Sequence, residues 1–538
     1  MLVLYASGTG TAEELALYMV DKLRRCTPTV EVRLKQFGQA SLADLENEVI
    51  IVICSTTGDG QLPENAQPTW NQLLRKSLTP FMQNSQFYSF GLGSTAYAKY
   101  NYAIQKIFAR FVKLGAQPAI NAFLSDENSA ESYDDFERWS DLVLESLDIK
   151  CTNTAQLPPL YPVKMIDAES HNGAKFAQEP MLVCKNNRIS APDHFQDVRQ
   201  IIFQETEPNG DAFNSIDPGD CVSIHPKNDP KQVEALLISQ KWESLADRIV
   251  EVDGIVPAGS WVTPLTLRNL ITWHLDLNSP PLRTFFTVAQ HFCTNPDHAE
   301  RMQQLSVDSD DRYAYISRVK RSVIEVLLEF DLDIKIEHLL DLFKLITPRK
   351  YSISGLYSDG SSQSLEITIA VVKYSTFLKR LRRGLCTHYL QSLPIDAPVY
   401  LTITKSKLDL ARCATRKCFF VATGTGIAPI KLLLTQLKFE VQPTLFYGTR
   451  YDNKDYLYGK ELESKAEVVS AFSRQGGGYV QQKIAAYMQS SAYNLEDCIV
   501  FVCGSAGAMP RAVKEAFAST GANIARMEKM KTYIEDTW

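Results

Sequence analysis

The sequence predicts a multidomain α/β protein: a doubly wound parallel sheet, then a β-barrel unit carrying a helical insertion, then a second α/β unit. Three observations predict it. Strand and helix patterns alternate over residues 1–147 and again from about 399. Between them, β-type runs begin at Met181, give way to helical stretches over about 229–346, and resume at Tyr351. In both alternating regions, glycine-rich turns follow directly on strands.

Size and composition bound the reading. At 538 residues the chain is too long for one core. It is 45% hydrophobic and 22% charged, as ordinary globular proteins are. A net charge of −6 argues against nucleic acid as the main partner. The 11 cysteines are scattered without a Cys-x-x-Cys pair, so no zinc ribbon or thioredoxin site is indicated, and no metal site is expected. Such a set suits a reducing compartment. No apolar run reaches the roughly 18 residues that span a bilayer. The expectation is a cytoplasmic protein without membrane insertion.

Each element follows in order. Leu2–Ala6, Val30–Gln36, Val49–Cys54, Phe87–Leu92 and Ala119–Phe123 read as buried strands, and Thr11–Cys26, Pro68–Lys76, Asn101–Leu114 and Glu131–Leu147 as helices. Such a sheet places its sites at the strand C-terminal ends. Residues 148–180 shift to Thr, Pro, Asn and Gln and read as a linker. Residues 181–398 form the β unit, with the helical insertion inside it, and the amphipathic stretch Tyr313–Phe330 reads as one of its helices. Residues 399–538 form the last α/β unit, with strands Cys418–Ala422, Thr444–Tyr447 and Ile499–Cys503.

The first turn, Ser7-Gly8-Thr9-Gly10-Thr11-Ala12, links a strand to a helix. Its small residues let backbone N–H groups close around a phosphate. It lacks the lysine of a nucleoside-triphosphatase loop. Two more loops end on the same sheet edge: Ser55-Thr56-Thr57-Gly58, and Leu92-Gly93-Ser94-Thr95-Ala96-Tyr97-Ala98-Lys99-Tyr100-Asn101. Three such loops, one with an aromatic for ring stacking, describe an FMN site. The pair Asp126-Glu127 follows the fifth strand.

The stretch Arg349–Tyr389 has two parts. On a strand, alternation puts Arg349, Tyr351 and Ile353 on one side and Ser352 and Ser354 on the other. Beyond the basic pair Arg382-Arg383, Gly384-Leu385-Cys386-Thr387 opens a helix, whose N-terminus favours phosphate. A flat ring held by the first part and a diphosphate by the second suit FAD.

In the last unit, Thr423-Gly424-Thr425-Gly426 lies between strand and helix, as a pyrophosphate site does. Arg450 ends the next strand, and Ser473-Arg474 ends another. Arginine beside a hydroxyl is the expected reader of a 2′-phosphate, which selects NADPH over NADH. Val502-Cys503-Gly504-Ser505 ends a late strand, and the chain stops at Glu535-Asp536-Thr537-Trp538. A tryptophan on a polar tail reads as a mobile cover for a planar cofactor.

This order of motifs resembles the diflavin reductases over essentially the whole chain: a flavodoxin-like FMN domain, then a ferredoxin–NADP reductase-like module with a helical insertion. The resemblance implies that Tyr97 stacks on FMN and that Asp126 and Glu127 lie near it. It implies FAD contacts from Arg349, Lys350, Tyr351, Ser352, Ala370, Val371, Val372, Gly384, Leu385, Cys386 and Thr387, with Lys320 or Arg321 nearby. Thr425, Arg450, Ser473, Arg474, Tyr479 and Gln481 would hold NADPH. Trp538 would stack on FAD and leave when nicotinamide enters. Ser352, Cys503 and Asp536 match the polar residues at hydride transfer. Ala422-Thr423 departs from the family's Gly-Pro, and Gln475–Gly478 is short and lacks a lysine. Segments Leu92–Asn101 and Arg382–Thr387 resemble particularly the branch serving cytosolic iron–sulfur protein assembly, which implies an anamorsin-like iron–sulfur acceptor. A reductase of haem proteins and a non-catalytic nucleotide-binding redox scaffold are the rival readings.

Overall fold

The computed structural model describes residues 1–538 except 59, 96–98, 128, 130–131, 151–155, 207–215, 253–260, 359–361, 407, 491–492 and 538, and the side chains of 132 and 133. The N-terminal unit is organised around β3 of a parallel sheet. Its strands are β1 (Leu2–Ala6), β2 (Arg33–Gln36), β3 (Val49–Ser55), β4 (Gln86–Gly93), β5 (Gln117–Pro118) and β6 (Phe123–Asp126). They run in the order β2-β1-β3-β4-β5, with β6 also paired to β4. The run Val-Ile-Ile-Val-Ile-Cys-Ser of β3 is apolar without alternation because helices cover both faces. Those helices are α1 (Thr11–Cys26), α2 (Gln67–Leu73), α3 (Tyr102–Lys113) and α4 (Ser132–Ser146). Acidic Glu13 and Glu14 open α1 and basic Arg24 and Arg25 close it, which complements the helix dipole. The expected strand Ala119–Phe123 is corrected: two short strands, β5 and β6, flank that segment.

The expected linker is ordered in part. Its strand β7 (Val163–Glu169) anticipates the barrel strands β8 (Met181–Arg188), β9 (Val198–Glu205) and β10 (Cys221–Ile224). β7 pairs with β11 (Arg248–Val252), a strand inside the largely helical insertion. The barrel is completed by β12 (Arg349–Ser358) and β13 (Gln363–Ala370), a small hairpin of β14 (Lys373–Ser375) and β15 (Leu381–Arg383), and then β16 (Pro398–Val399) and β17 (Leu401–Thr404). The sheet order is β16-β8-β9-β13-β12-β10-β17. Its two edges are supplied by consecutive pieces of chain, so the sheet curls toward closure. The barrel therefore runs to Thr404, past the expected boundary at 398/399, because β16 and β17 hydrogen-bond into it.

The insertion has its own core, including Leu236, Leu270, Phe285 and Leu327. The single helix expected over Tyr313–Phe330 is two pieces. A π-helical turn spans Tyr313–Ser317, Lys320 takes φ 54°, and a new helix starts at Val323 under a Ser322/Glu325 capping box.

The last unit is a parallel sheet of β18 (Cys418–Thr423), β19 (Thr444–Thr449), β20 (Glu467–Phe472), β21 (Ile499–Gly504) and β22 (Tyr533–Thr537), ordered β20-β19-β18-β21-β22. No helix among the described residues is long and apolar enough to cross a membrane. Nine described cysteines are free thiols, whereas Cys26 is disulfide-bonded, which departs from a wholly reduced set.

Candidate functional site

In the N-terminal unit three loops leave the C-terminal ends of β1, β3 and β4 and meet. Gly10 takes φ 99° at the start of α1, a conformation that favours glycine. Gly10 N–H donates to Ser7 Oγ at 2.9 Å, Gly8 N–H to Ser55 Oγ at 3.4 Å, and Ser7 N–H to Asn65 Oδ1 at 3.1 Å. Thr56 N–H donates to the Leu92 carbonyl at 2.8 Å, and Thr57 and Gln61 exchange backbone bonds. A Cβ at Gly8 would stand 3.0 Å from Thr57 Cγ2, so the two loops are already in contact. Thr56 Oγ1 is buried with no partner among the described residues. Such an orphan beside exposed Gly8, Thr9 and Thr11 fits a bound phosphate.

Several expected residues brace this cradle. Asp126 accepts from Thr95 N–H at 3.0 Å and Thr95 Oγ1 at 2.5 Å. Tyr100 donates its hydroxyl to the Leu124 carbonyl at 2.7 Å, and buried Asn101 donates to the Ser125 carbonyl at 2.9 Å. Ala12 sits in the core, leaving only its backbone to face a ligand. Thr57, Gly58, Lys99 and Glu127 lie at the rim. Ala96, Tyr97 and Ala98 lie outside the described residues.

The second cradle joins β12 to the turn at Gly384. Arg349 and Lys350 are exposed, Arg349 donating to the Thr347 carbonyl at 2.7 Å and Lys350 pairing with Glu64 at 2.7 Å. Burial raises the Tyr351 hydroxyl above its ordinary range and pushes the neighbouring Cys386 thiol up to about 11. Gly384 N–H donates to the Val372 carbonyl at 3.0 Å, and Val372 N–H to Thr387 Oγ1 at 3.1 Å. A Cβ at Gly384 would stand 2.9 Å from Thr387 Oγ1 and from Val372 Cβ, so only glycine lets this turn close under the helix Leu385–Ser392. That cradle fits a diphosphate. Ala370 ends β13 and Val371 is buried. Arg382 pairs with Glu325 at 2.5 Å. Arg321 is held by Glu329 and lies 4.1 Å from the Tyr315 ring, while Lys320 is exposed. Tyr374, not expected from sequence, is 47% exposed on β14 and offers a flat face beside the turn.

The third cradle is the turn before the helix Ile427–Gln436. Gly424 takes φ 54°, and a Cβ at Gly426 would lie 2.4 Å from the Cys503 carbonyl oxygen. Thr425 therefore sits on a turn pressed against β21. At the sheet's other edge, Ser473 Oγ donates to the Thr449 carbonyl at 3.2 Å and Arg474 N–H to the Arg450 carbonyl at 3.0 Å. Both arginines are exposed, and the Arg450 guanidinium lies 4.2 Å from the Phe195 ring. Tyr479 is exposed just before the helix Val480–Ser490, and Gln481 is half-buried in its first turn. This donor set fits a phosphorylated dinucleotide.

Ser352, Cys503 and Asp536 come together from two units. Cys503 and Asp536 are register partners on β21 and β22, and Ser352 is the register partner of Cys221 on β10. Cys221 closes the set: it faces Ser352 across the strand pair and feels the charge of Asp536. Burial, then Asp536, pushes both thiols up, and burial raises Asp536 itself. Neutral thiols make poor nucleophiles. Sequence reading missed Cys221 because only strand pairing brings it to Ser352. Trp538 lies outside the described residues.

These sites define a protein with two flavin cradles and one nicotinamide dinucleotide turn. The flavodoxin family model matches residues 3–139, the FAD binding domain 179–389 and the oxidoreductase NAD-binding domain 420–515. The chain is 34% identical to NADPH-dependent diflavin oxidoreductase 1 of Debaryomyces hansenii, over 100% of this chain and 98% of the relative. The same-named proteins of Candida albicans and Schizosaccharomyces pombe are 33% and 32% identical, each over 100% of this chain and 99% of the relative. The chain belongs to the NADPH-dependent diflavin oxidoreductase 1 family. It is an oxidoreductase that uses FMN, FAD and NADPH.

Proposed function

We propose that the three cradles hold FMN, FAD and NADPH through the residues named above, and that the final electron acceptor is an anamorsin-like iron–sulfur protein of cytosolic iron–sulfur assembly. When bound, these cofactors supply the redox chemistry, a hydride from NADPH to FAD and single electrons onward through FMN. The protein's part is orientation and charge. Ser352, in register with Cys221 on β10, supplies a hydroxyl at the hydride site. Asp536, with its carboxyl raised by burial, holds a proton more readily than an exposed aspartate. Cys503 lines the site as a neutral thiol.

The Lys350–Glu64 pair carries the intramolecular part of this reading. It ties the FAD strand β12 to the segment just after the Ser55–Gly58 loop of the FMN cradle. The acceptor is supported by the resemblance of Leu92–Asn101 and Arg382–Thr387 to the iron–sulfur branch. Over residues 1–145 there are 17 acidic and 12 basic side chains, which suits a basic docking face on the acceptor. The test is a pull-down from cytosol followed by NADPH-driven reduction of the recovered protein. Reduction of an iron–sulfur protein is the expected result; recovery and reduction of a haem protein alone would replace this reading with the haem-reductase one.

A further inference from the structure

One polar cluster lies outside the three cradles, with a buried ion pair at its centre. Glu366 on β13 is fully buried, and Lys431, on the Ile427–Gln436 helix, is 2% exposed. Lys431 Nζ lies 3.1 Å from Glu366 Oε1. The same carboxylate accepts from Ser354 Oγ at 2.7 Å, Tyr357 OH at 2.6 Å, Tyr458 OH at 3.1 Å and the Gln200 amide. Lys431 also donates to the Ser354 carbonyl at 3.3 Å and to Tyr357 OH at 3.2 Å. Burial pushes the Glu366 carboxyl up, but the Lys431 charge and the hydroxyl donors outweigh it and hold the group below its ordinary range.

A buried ion pair is a poor way to gain stability, because apolar side chains of similar volume often do as well or better. What it does supply is direction. Its hydrogen bonds are satisfied in one arrangement only, whereas apolar contacts tolerate sliding. The location shows which arrangement is specified. Glu366 is the register partner of Gly355 on β12, the strand that carries Ser352. Lys431 belongs to the helix that opens at the Gly424–Gly426 turn. The hydride site draws Ser352 and Cys221 from the barrel, and Cys503 and Asp536 from the last unit. Its spacing therefore depends on how these two units are registered.

We infer that Glu366 and Lys431 are positioning residues for hydride transfer: the pair fixes the register of the nicotinamide-binding unit on the FAD barrel. Neither residue lies in a cofactor cradle. No protein acceptor enters the test, so its outcome is independent of which acceptor the chain serves.

The test uses the full-length, flavin-loaded protein. Lys431→Met strands a buried carboxylate, so the informative variant is the double change Glu366→Gln/Lys431→Met, which removes both charges. Four readouts are compared with the parent: thermal unfolding, NADP⁺ affinity, the long-wavelength charge-transfer absorbance of the NADPH complex, and the rate of anaerobic FAD reduction. The expected result is near-parental unfolding and NADP⁺ affinity, a lost charge-transfer band, and FAD reduction about 100-fold slower. Lys431→Arg restores both band and rate. Parental rate and band in the double variant would overturn the inference, as would a rate loss that follows unfolding or NADP⁺ affinity alone. If the double variant does not retain flavin, Glu366→Asp decides, because it keeps the charge and shortens the link. FAD reduction about 10-fold slower at parental unfolding temperature supports the inference, and an unchanged rate overturns it.

Discussion

The barrel meets the last unit through a shared core, whereas a set of ion pairs joins the N-terminal unit to the barrel and the insertion. Leu432 of the last unit packs in the barrel core, and Val198 of the barrel packs in the core of the last unit. The buried Glu366–Lys431 pair lies in the same joint. At the N-terminal unit the bridges are Lys350–Glu64, with side chains 51% and 68% exposed, Lys344–Glu14, and Arg312–Glu137. A small cavity lined by α1, the linker and the insertion lies in that second joint. The contrast matches the two transfers. Hydride transfer needs near-contact geometry, where a displacement of about 1 Å is costly. On the proposed reading the N-terminal unit hands electrons to another protein, which needs a separable contact, and polar interdomain contacts are where domains move.

Four variants break or sharpen this contrast, the largest effect first. Gly426→Val drives a side chain into the Cys503 carbonyl at the shared-core joint. NADPH-driven flavin reduction should fall by about 100-fold or more while both flavins stay bound, measured by stopped-flow absorbance and flavin release. Parental reduction would show that this joint tolerates displacement after all. Arg474→Ala acts at the outer sheet edge, away from both joints. It should raise KM for NADPH roughly 10- to 100-fold with kcat unchanged and NADH use unaffected. A fall in kcat instead would mean that the outer edge shares in the joint's geometry.

At the second joint, Glu64→Gln combined with Glu14→Gln should leave FAD reduction at the parental rate. Exposed pairs contribute about 0.2–1 kcal/mol each and are screened by salt. Transfer from FAD to FMN should then slow with ionic strength in the parent and lose that salt response in the variant. Equal salt responses would show that these pairs do not hold the joint. The smallest effect is expected at Glu325, which holds Arg380 and Arg382 beside the Gly384 turn. Burial raises its carboxyl, but Arg382 and the Ser322 N–H outweigh that and set it at about 2. A depressed folded-state value stabilises the fold above the ordinary carboxyl range, and the gain disappears as pH falls through the folded value. Glu325→Gln should therefore lower the unfolding temperature by a few degrees at pH 7, a gap that closes in acid. A gap independent of pH would assign the effect to packing.

How far the sequence could be read depended on whether a signal was local. Thr11–Cys26 is the same helix in sequence and structure, because its start, apolar face and end charges all lie within one segment. The helix break before Val323 had a local signal too, Ser322 with Glu325, but the apolar period runs through it and hid the break. The expected strand at Ala119–Phe123 failed because β5 and β6 are short, and pairing with β4 decides their limits. Tyr374 offers a face only because β14 and β15 form a hairpin.

By itself the sequence determined the order of units and the three glycine-containing strand-to-helix turns. A strand, a run of small residues and a helix start make such a turn from neighbours in the chain. Tertiary structure alone decided which other distant groups meet: Cys221 with Ser352, Glu366 with Lys431. The physical reason is that register and burial are properties of pairs. A lysine in an apolar helix and a glutamate in an apolar strand each look out of place until folding puts one charge against the other.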